Sequence, residues 1–165
     1  QLVCVQTEFA DLPIHVAAGR CHRETLELLV ELGADVNSRN GSRATALHLV
    51  TECKACSLLR FLIRSGADLE LADRHGERAI HFAIQRGNLD ATRILLEAGA
   101  DPSSRAHCGW TSLHYAAYDG NVEIAKLLLQ RGVKDSLDED GLTAAYWAAE
   151  FETDRHRQIL SDIQA

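Results

Sequence analysis

The chain has 165 residues, of which 46% are hydrophobic and 25% are charged, and its formal net charge is −7. This composition is typical of a globular chain with one core and excludes a disordered polar segment. The negative charge argues against a nucleic-acid-binding protein, which would concentrate basic residues, and no apolar run is long enough for membrane insertion.

Histidine recurs at a fixed interval from the first predicted element to the fourth. His15, His48, His81 and His114 follow one another 33 residues apart, each inside a similar apolar phrase such as LPIHVAA or TSLHYAA. Glycine recurs with the same period, at Gly33, Gly66, Gly99 and Gly132. Such a period predicts a stack of repeated helical units.

Each period predicts two short antiparallel helices. In the fourth, Thr111 to Tyr118 begins with a hydroxyl residue suited to a helix start and spaces its apolar residues by three and four. Gly120 supplies a break, and Val122 to Gln130 carries a second apolar stripe before Gly132 ends the helix. A helix pair this short is stable only when it stacks on a copy of itself.

The helix pair, its 33-residue period and the Thr-Pro-Leu-His-like phrase resemble ankyrin repeats. The resemblance covers nearly the whole chain and implies an all-α solenoid of about five stacked units with projecting loops. We expect a single domain, 1–165, in which Tyr146 replaces the histidine of the last unit. The predicted units are repeats 7–39, 40–72, 73–105 and 106–137 and a capping repeat, 138–165.

The resemblance also implies that each histidine hydrogen-bonds across neighbouring loops. Stacked imidazoles would lie roughly 10 Å apart, which is too far for them to share a metal whose nitrogen ligands each sit near about 2 Å. Because methionine is absent even at position 1, we expect the chain to be part of a longer protein. Val3 lies 33 residues before Val36, which predicts a further repeat upstream.

Several positions depart from the family pattern. Leu12 and Arg78 replace the threonine of the histidine phrase, which leaves the threonine-to-histidine hydrogen bond in question in repeats one and three. The glycine of the turn between helices is replaced by Cys21, Lys54 and Glu152. Since a left-handed non-glycine residue costs about 1 kcal/mol, we expect repeats one and two to be the less stable end.

The five cysteines are odd in number and scattered, which is a poor disulfide framework and suggests a reducing compartment, cytoplasmic or nuclear. Cys53 and Cys56 form a CxxC motif that could bind zinc or cycle through a disulfide, with Cys21 one repeat below. No second ligand pair completes a zinc site. The alternative is a turn in which one thiol packs as a small hydrophobe, and we expect no cofactor.

Function is therefore expected at the surface, because the regular histidines belong to the scaffold and no catalytic loop motif is present. In such a solenoid the loop tips and first helices form one concave face. We predict a monomeric, non-enzymatic module that binds a partner protein or peptide there, as a scaffold or recruitment domain. The alternatives are a metal- or redox-responsive domain at Cys53 and Cys56, or a structural spacer within a larger enzyme. The residues predicted to bind are Arg74, His75, Glu77, Arg86, His107, Trp110, Tyr118, Asp119, Leu142 and Phe151, with Phe9, Arg20 and Glu52 as further candidates by register.

Trp110 is the predicted hot spot. It follows Gly109 at a loop tip, where the scaffold needs no large apolar group, and exposed aromatic residues dominate many interfaces. The alternative is that Trp110 folds back over its loop and packs on Tyr118. Trp147 aligns with framework positions and is expected in the core.

Asn37 is a predicted modification site. The spacing of LVELGADVN resembles the asparagine-hydroxylation sites found on many ankyrin repeats, and it places Asn37 at the start of a projecting loop. The alternative is that its side-chain amide caps the turn.

Overall fold

Short helices make up all the regular structure of the described chain. A computed structural model describes residues 11–53, 56–151 and 153–165. Phe9, Lys54 and Glu152 therefore lie outside the described residues. The helices are α1 Pro13–Gly19, α2 Arg23–Glu31, α3 Ala46–Val50, α4 Ser57–Arg64, α5 Ala79–Gln85, α6 Leu89–Glu97, α7 Ser112–Tyr118, α8 Val122–Gln130, α9 Ala144–Glu150 and α10 Asp154–Gln164.

The helices form two stacked layers. The first helices of the pairs, α1, α3, α5, α7 and α9, pack in sequence against one another, and so do the second helices from α4 to α10. Apolar side chains such as Leu26, Leu95 and Leu128 are fully buried in one continuous core that joins the layers. This arrangement confirms the predicted all-α solenoid.

The turns between paired helices require a left-handed residue. Gly87 and Gly120 have φ of +62° and +66°, and Cys21 occupies the equivalent position with φ of +56°. Asn88 and Asn121 follow these glycines, and their side-chain amides donate to the carbonyls of Thr51 and Ile84 in the preceding repeat. The turns therefore fasten each repeat to its predecessor as well as reversing the chain.

The projecting loops are built around one polar side chain. Asn40, Asp73 and Asp138 each accept two backbone N–H groups through Oδ1, at 2.8 to 3.0 Å. Ala106 stands at this position in the fourth loop, which instead forms a 3₁₀ turn over His107–Gly109 with Cys108 at φ +59°. Three of the four loops that the structure describes thus share one tip geometry.

Candidate functional site

The regular histidines link each loop to the next one. Each Nδ1 accepts the N–H of the residue three positions earlier, at 3.0 to 3.2 Å. Each Nε2 bonds a carbonyl of the following loop, at 2.9 Å for His15 and Ser38 and at 3.1 Å for His48 and Glu77. Because a carbonyl only accepts, Nε2 carries the proton. The predicted structural role of the histidines is confirmed.

Threonine adds a second bond to this arrangement but is not needed for it. Thr45 and Thr111 place Oγ1 2.9 Å from Nδ1 of His48 and His114. In the two repeats where leucine or arginine replaces threonine, the backbone N–H alone meets the ring. This explains how Leu12 and Arg78 are accommodated.

The first helices and the loop tips leave one surface uncovered by the second helices, which we call the inner face. Its floor is formed by the residue that follows the histidine position of each repeat, which Tyr146 occupies in repeat five. The rings of Phe82 and Tyr115 pack against the histidine of the preceding repeat, at centroid distances of 5.1 and 5.4 Å. The floor residues are Val16, Leu49, Phe82, Tyr115 and Trp147. The column runs the length of the described stack.

Aromatic rings gather at the carboxyl-terminal end of this face. Trp110 lies 5.2 Å from Trp147 and 5.4 Å from Tyr118, measured between ring centroids, and Tyr118 lies 5.4 Å from Phe151. Tyr118 is 44% exposed, whereas the other three are partly buried. We call Trp110, Tyr118, Trp147 and Phe151 the aromatic cluster.

Two expectations about the tryptophans are corrected by this packing. Trp110 is not a freely exposed loop-tip residue, because its indole packs on rings from α7 and α9. Trp147 is only partly buried, and its Nε1 donates to Oδ2 of Asp138 at 3.1 Å. Both indoles therefore belong to the cluster, because Trp147, the large floor residue of repeat five, packs against Trp110 in the loop of repeat four.

Polar side chains of repeats two to four form a fixed network beside the cluster. Glu77 Oε1 accepts the hydroxyl of Tyr115 at 2.8 Å and the side-chain amide of Gln85 at 2.6 Å. Burial and this bond to Glu77 raise the pKa of Tyr115, which keeps its hydroxyl neutral. Arg86 pairs with Glu52 of the preceding repeat. Glu77 and Arg86 are thus both engaged by neighbouring side chains of the chain itself.

The remaining predicted site residues lie in three places. Arg74, His75 and His107 are at exposed loop tips. Arg74 Nε donates to His75 Nε2, and the ring centroids of His75 and His107 are 6.4 Å apart. Asp119 adjoins Tyr118, and burial raises the pKa of its carboxyl against the opposing effect of His156. Leu142 contributes its carbonyl to His114 at 3.4 Å.

His156 is a functional part of the scaffold that sequence reasoning missed. It is buried, its Nδ1 meets Thr153 Oγ1, its Nε2 bonds the carbonyl of Tyr118 at 3.1 Å, and its ring stacks on Phe151 at 4.7 Å. The phrase Thr-Asp-Arg-His repeats the Thr-x-x-His spacing of the earlier repeats and was the signal for it. His156 therefore holds two residues of the aromatic cluster, Tyr118 through its carbonyl and Phe151 through its ring.

Asn37 is engaged by its own amide. Its Nδ2 donates to the carbonyl of Gly66 at 3.1 Å, and its Oδ1 accepts the N–H of Asp68 at 2.8 Å. These bonds join two successive connecting segments, so the amide is engaged with the following repeat, whereas its own turn is closed by Asp35 Oδ1, which accepts the N–H of Asn37 at 2.9 Å. Hydroxylation of Asn37 stays a prediction, and a modifying enzyme would have to release these bonds first.

The cysteines differ from expectation. Cys21 and Cys53 form a disulfide between neighbouring repeats, so the interpretation of the cysteines as a set without disulfides is wrong at this pair. Cys56 and Cys108 are free thiols, and burial raises the pKa of Cys56. Within the described part of the chain, no three potential ligands come together as a metal site.

Comparison with known proteins identifies the repeat. The family model described as ankyrin repeats (three copies) matches residues 14–106 and again residues 81–162. A comparison with curated proteins found no match for this chain. No helix among the described residues is long and apolar enough to span a bilayer.

Proposed function

The chain belongs to the ankyrin-repeat family, and we propose that its inner face binds a partner protein or peptide. Ankyrin repeats generally bind other proteins. The anchor of this binding would be the aromatic cluster. The role of the chain would be that of a scaffold or recruitment domain. The observation that carries this proposal is Tyr118, which stays 44% exposed although three aromatic rings pack around it.

An aromatic cluster of this kind is suited to a protein interface. Tyrosine and tryptophan offer large contact areas with few rotatable bonds and dominate binding energies where they cluster. Asp119 adds a carboxyl beside Tyr118, and the ordered pair of Arg86 and Glu52 adds charge of both signs along the same face. A partner segment with an aliphatic or aromatic anchor and a nearby basic group fits this surface.

Substitution of Tyr118 tests the proposal. We expect Tyr118→Ala to weaken binding by about 2 kcal/mol or more and to change the melting temperature little, because the side chain is nearly half exposed. The probe is a set of peptides selected against the domain from a random display library, with affinity measured by fluorescence anisotropy. Unchanged affinity in Tyr118→Ala would reject the cluster as the anchor.

Two further variants separate binding from folding. Leu28→Ala is the control, because Leu28 is 53% exposed on the second helix α2, lies outside the aromatic cluster, and should leave affinity unchanged. Trp110→Ala should reduce both affinity and melting temperature, since its indole packs on four rings.

The alternatives predicted from the cysteines and from the spacer role have less support. Cys53 is bonded to Cys21, so Cys53 and Cys56 do not form a free dithiol in this state. A purely structural spacer would leave Tyr118 without a role. We assign no catalysis, because the repeated histidines use both ring nitrogens within the scaffold.

A further inference from the structure

The inner face is not uniform along its length. The side chains of its floor become smaller from Trp147 and Tyr115 towards Leu49 and Val16, which leaves more room above the floor at the amino-terminal end. Gly19 adds to this room because it has no side chain, whereas the equivalent positions in later repeats carry larger residues, namely Glu52, Gln85, Tyr118 and Glu150. A groove of about 410 Å³ opens between repeats one and two as a result.

This groove has an apolar floor and a basic border. Val16 and Leu49 line the floor, and Arg20 lies at the edge. Asp11, the acidic residue among the described residues of the lining, is already bonded, since it accepts the side-chain amide of Asn40 at 2.7 Å. The groove therefore presents an aliphatic surface next to a guanidinium group.

Two more arginines stand at the loop tips that precede α3 and α5, whereas Arg20 follows the carboxyl-terminal end of α1. The N–H of Arg74 donates to the carbonyl of Ser42 at 3.0 Å, which brings the second and third loops together and sets Arg43 and Arg74 on adjoining tips. Arg20, Arg43 and Arg74 are all exposed. None of them forms a salt bridge within the described residues, whereas Arg78 and Arg86 are paired with Glu70 and Glu52.

Arg43 is also unusual in its backbone. Its φ is +61°, at a position where Gly76, Gly109 and Gly141 stand in the later loops. A non-glycine residue with positive φ carries strain that natural sequences often retain at functional sites. The side chain at position 43 thus adds a charge to the loop tip where the fold itself favours glycine.

We propose that this groove and its three arginines bind an extended segment of the partner that combines aspartate or glutamate residues with an aliphatic side chain. The carboxylates pair with Arg20, Arg43 and Arg74, whose planar guanidinium groups suit bidentate contacts. The aliphatic side chain covers Val16 and Leu49. The inference rests on the proposed function, because the same partner would place its other end on the aromatic cluster.

The test uses peptides selected from a random display library against the wild-type chain. We expect the selected sequences to be enriched in acidic and aliphatic residues. Their affinity should fall about tenfold or more in the variant Arg20→Glu, Arg43→Glu, Arg74→Glu, and should weaken as salt is added. A second triple variant to glutamine, with circular dichroism on both, shows that the loss does not come from misfolding.

The matched control carries the same change of charge on the second helices. Arg60, Arg64 and Arg93 are exposed on α4 and α6, and their change to glutamate should leave affinity unchanged. An equal loss in this control would overturn the inference, since long-range charge would then explain the effect. Single-stranded DNA with the same total charge as the peptides should not displace them. Displacement would overturn the inference as well, because negative charge alone would then be enough for binding.

The remaining outcomes distinguish this inference from the proposed function. Peptides that depend on Tyr118 but lack acidic residues, and that ignore the three arginines, would refute only the inference. Acidic peptides that depend on the arginines but not on Tyr118 would refute only the aromatic anchor. Failure to select any peptide that binds the wild-type chain would count against both.

Discussion

A neutral imidazole is the residue that joins one repeat to the next. Its Nδ1 accepts a backbone N–H within its own repeat while its Nε2 donates to a carbonyl of the next loop, as for His81 with Arg78 and Ser104. A protonated ring would present a donor to the N–H of Arg78 and lose that bond. The histidine phrase therefore requires the neutral form in the folded state.

Lowering the pH should destabilise the fold through these histidines. Burial lowers the pKa of His81 from 6.5 to about 4, and it also lowers the pKa of His48 and His114. Because the unfolded chain takes up protons first, this stability is complete above pH 6.5 and is lost as the pH falls from 6.5 towards 4. His81 alone should contribute a loss of about 2 kcal/mol in unfolding free energy between about pH 7.5 and about pH 5.

Urea denaturation at the two pH values measures this effect. In His81→Gln the side-chain amide can still donate to the Ser104 carbonyl but cannot titrate, so the variant should lose less stability on acidification than the wild type. An equally large loss in His81→Gln would show that other groups govern the pH dependence.

The residue scale also shows where sequence reasoning stopped. The histidines could be assigned because their role depends on a spacing of 33, which is visible in the chain. The burial of Trp110 depends on the width of Trp147 in the next repeat, which is a matter of side-chain packing. The spacing of residues does not reveal that contact.

The turns between paired helices determine how firmly each element is held. Cys21 and Cys53 lie near the turns between the paired helices of repeats one and two, with Cα atoms 5.8 Å apart. Their disulfide joins the two repeats at the turn where Cys21 stands in place of glycine. The helices themselves were predictable from periodicity. The disulfide was not, because an odd number of scattered cysteines gives no indication of which pair becomes adjacent after stacking.

Reduction of this disulfide should destabilise the amino-terminal repeats. It links residues 32 apart, and a crosslink over a loop of that length is expected to contribute about 3 to 4 kcal/mol by restricting the unfolded chain. Thermal unfolding with and without a phosphine reductant measures the difference. Cys21→Ser should make stability insensitive to reductant, whereas Cys56→Ser should keep the sensitivity. Loss of the sensitivity in Cys56→Ser and its retention in Cys21→Ser would favour a Cys53 to Cys56 pair.

At the scale of the whole molecule, the two ends of the stack differ in packing and in exposed chemistry. The carboxyl-terminal end has glycine turns, an aromatic floor and His156 beneath it. The amino-terminal end has an open groove, Cys21 and Arg43 in left-handed conformations, and two exposed arginines, Arg20 and Arg43, that form no salt bridge with the described residues. The sequence predicted both the stacked architecture and a weaker amino-terminal end. It did not predict the groove, because the groove results from the combined sizes of Val16, Leu49 and Gly19 on adjacent helices.

This asymmetry predicts a gradient of local stability along the stack. Amide hydrogen exchange should be faster in repeats one and two than in repeats three and four. Cys21 and Arg43 hold positive φ without glycine there, against Cys108 alone in repeats three and four, and only Asn88 and Asn121 of the later repeats bond a carbonyl of the preceding repeat. Reduction of the disulfide should widen the difference. Arg43→Gly should narrow it and stabilise the second loop by about 0.5 to 1 kcal/mol, since glycine accepts φ of +61° without strain. Ser42→Gly, one residue away and outside the left-handed region, is the control and should not stabilise the loop. Equal protection across all four repeats in both redox states would show that the left-handed residues and the missing asparagine bonds do not determine local stability.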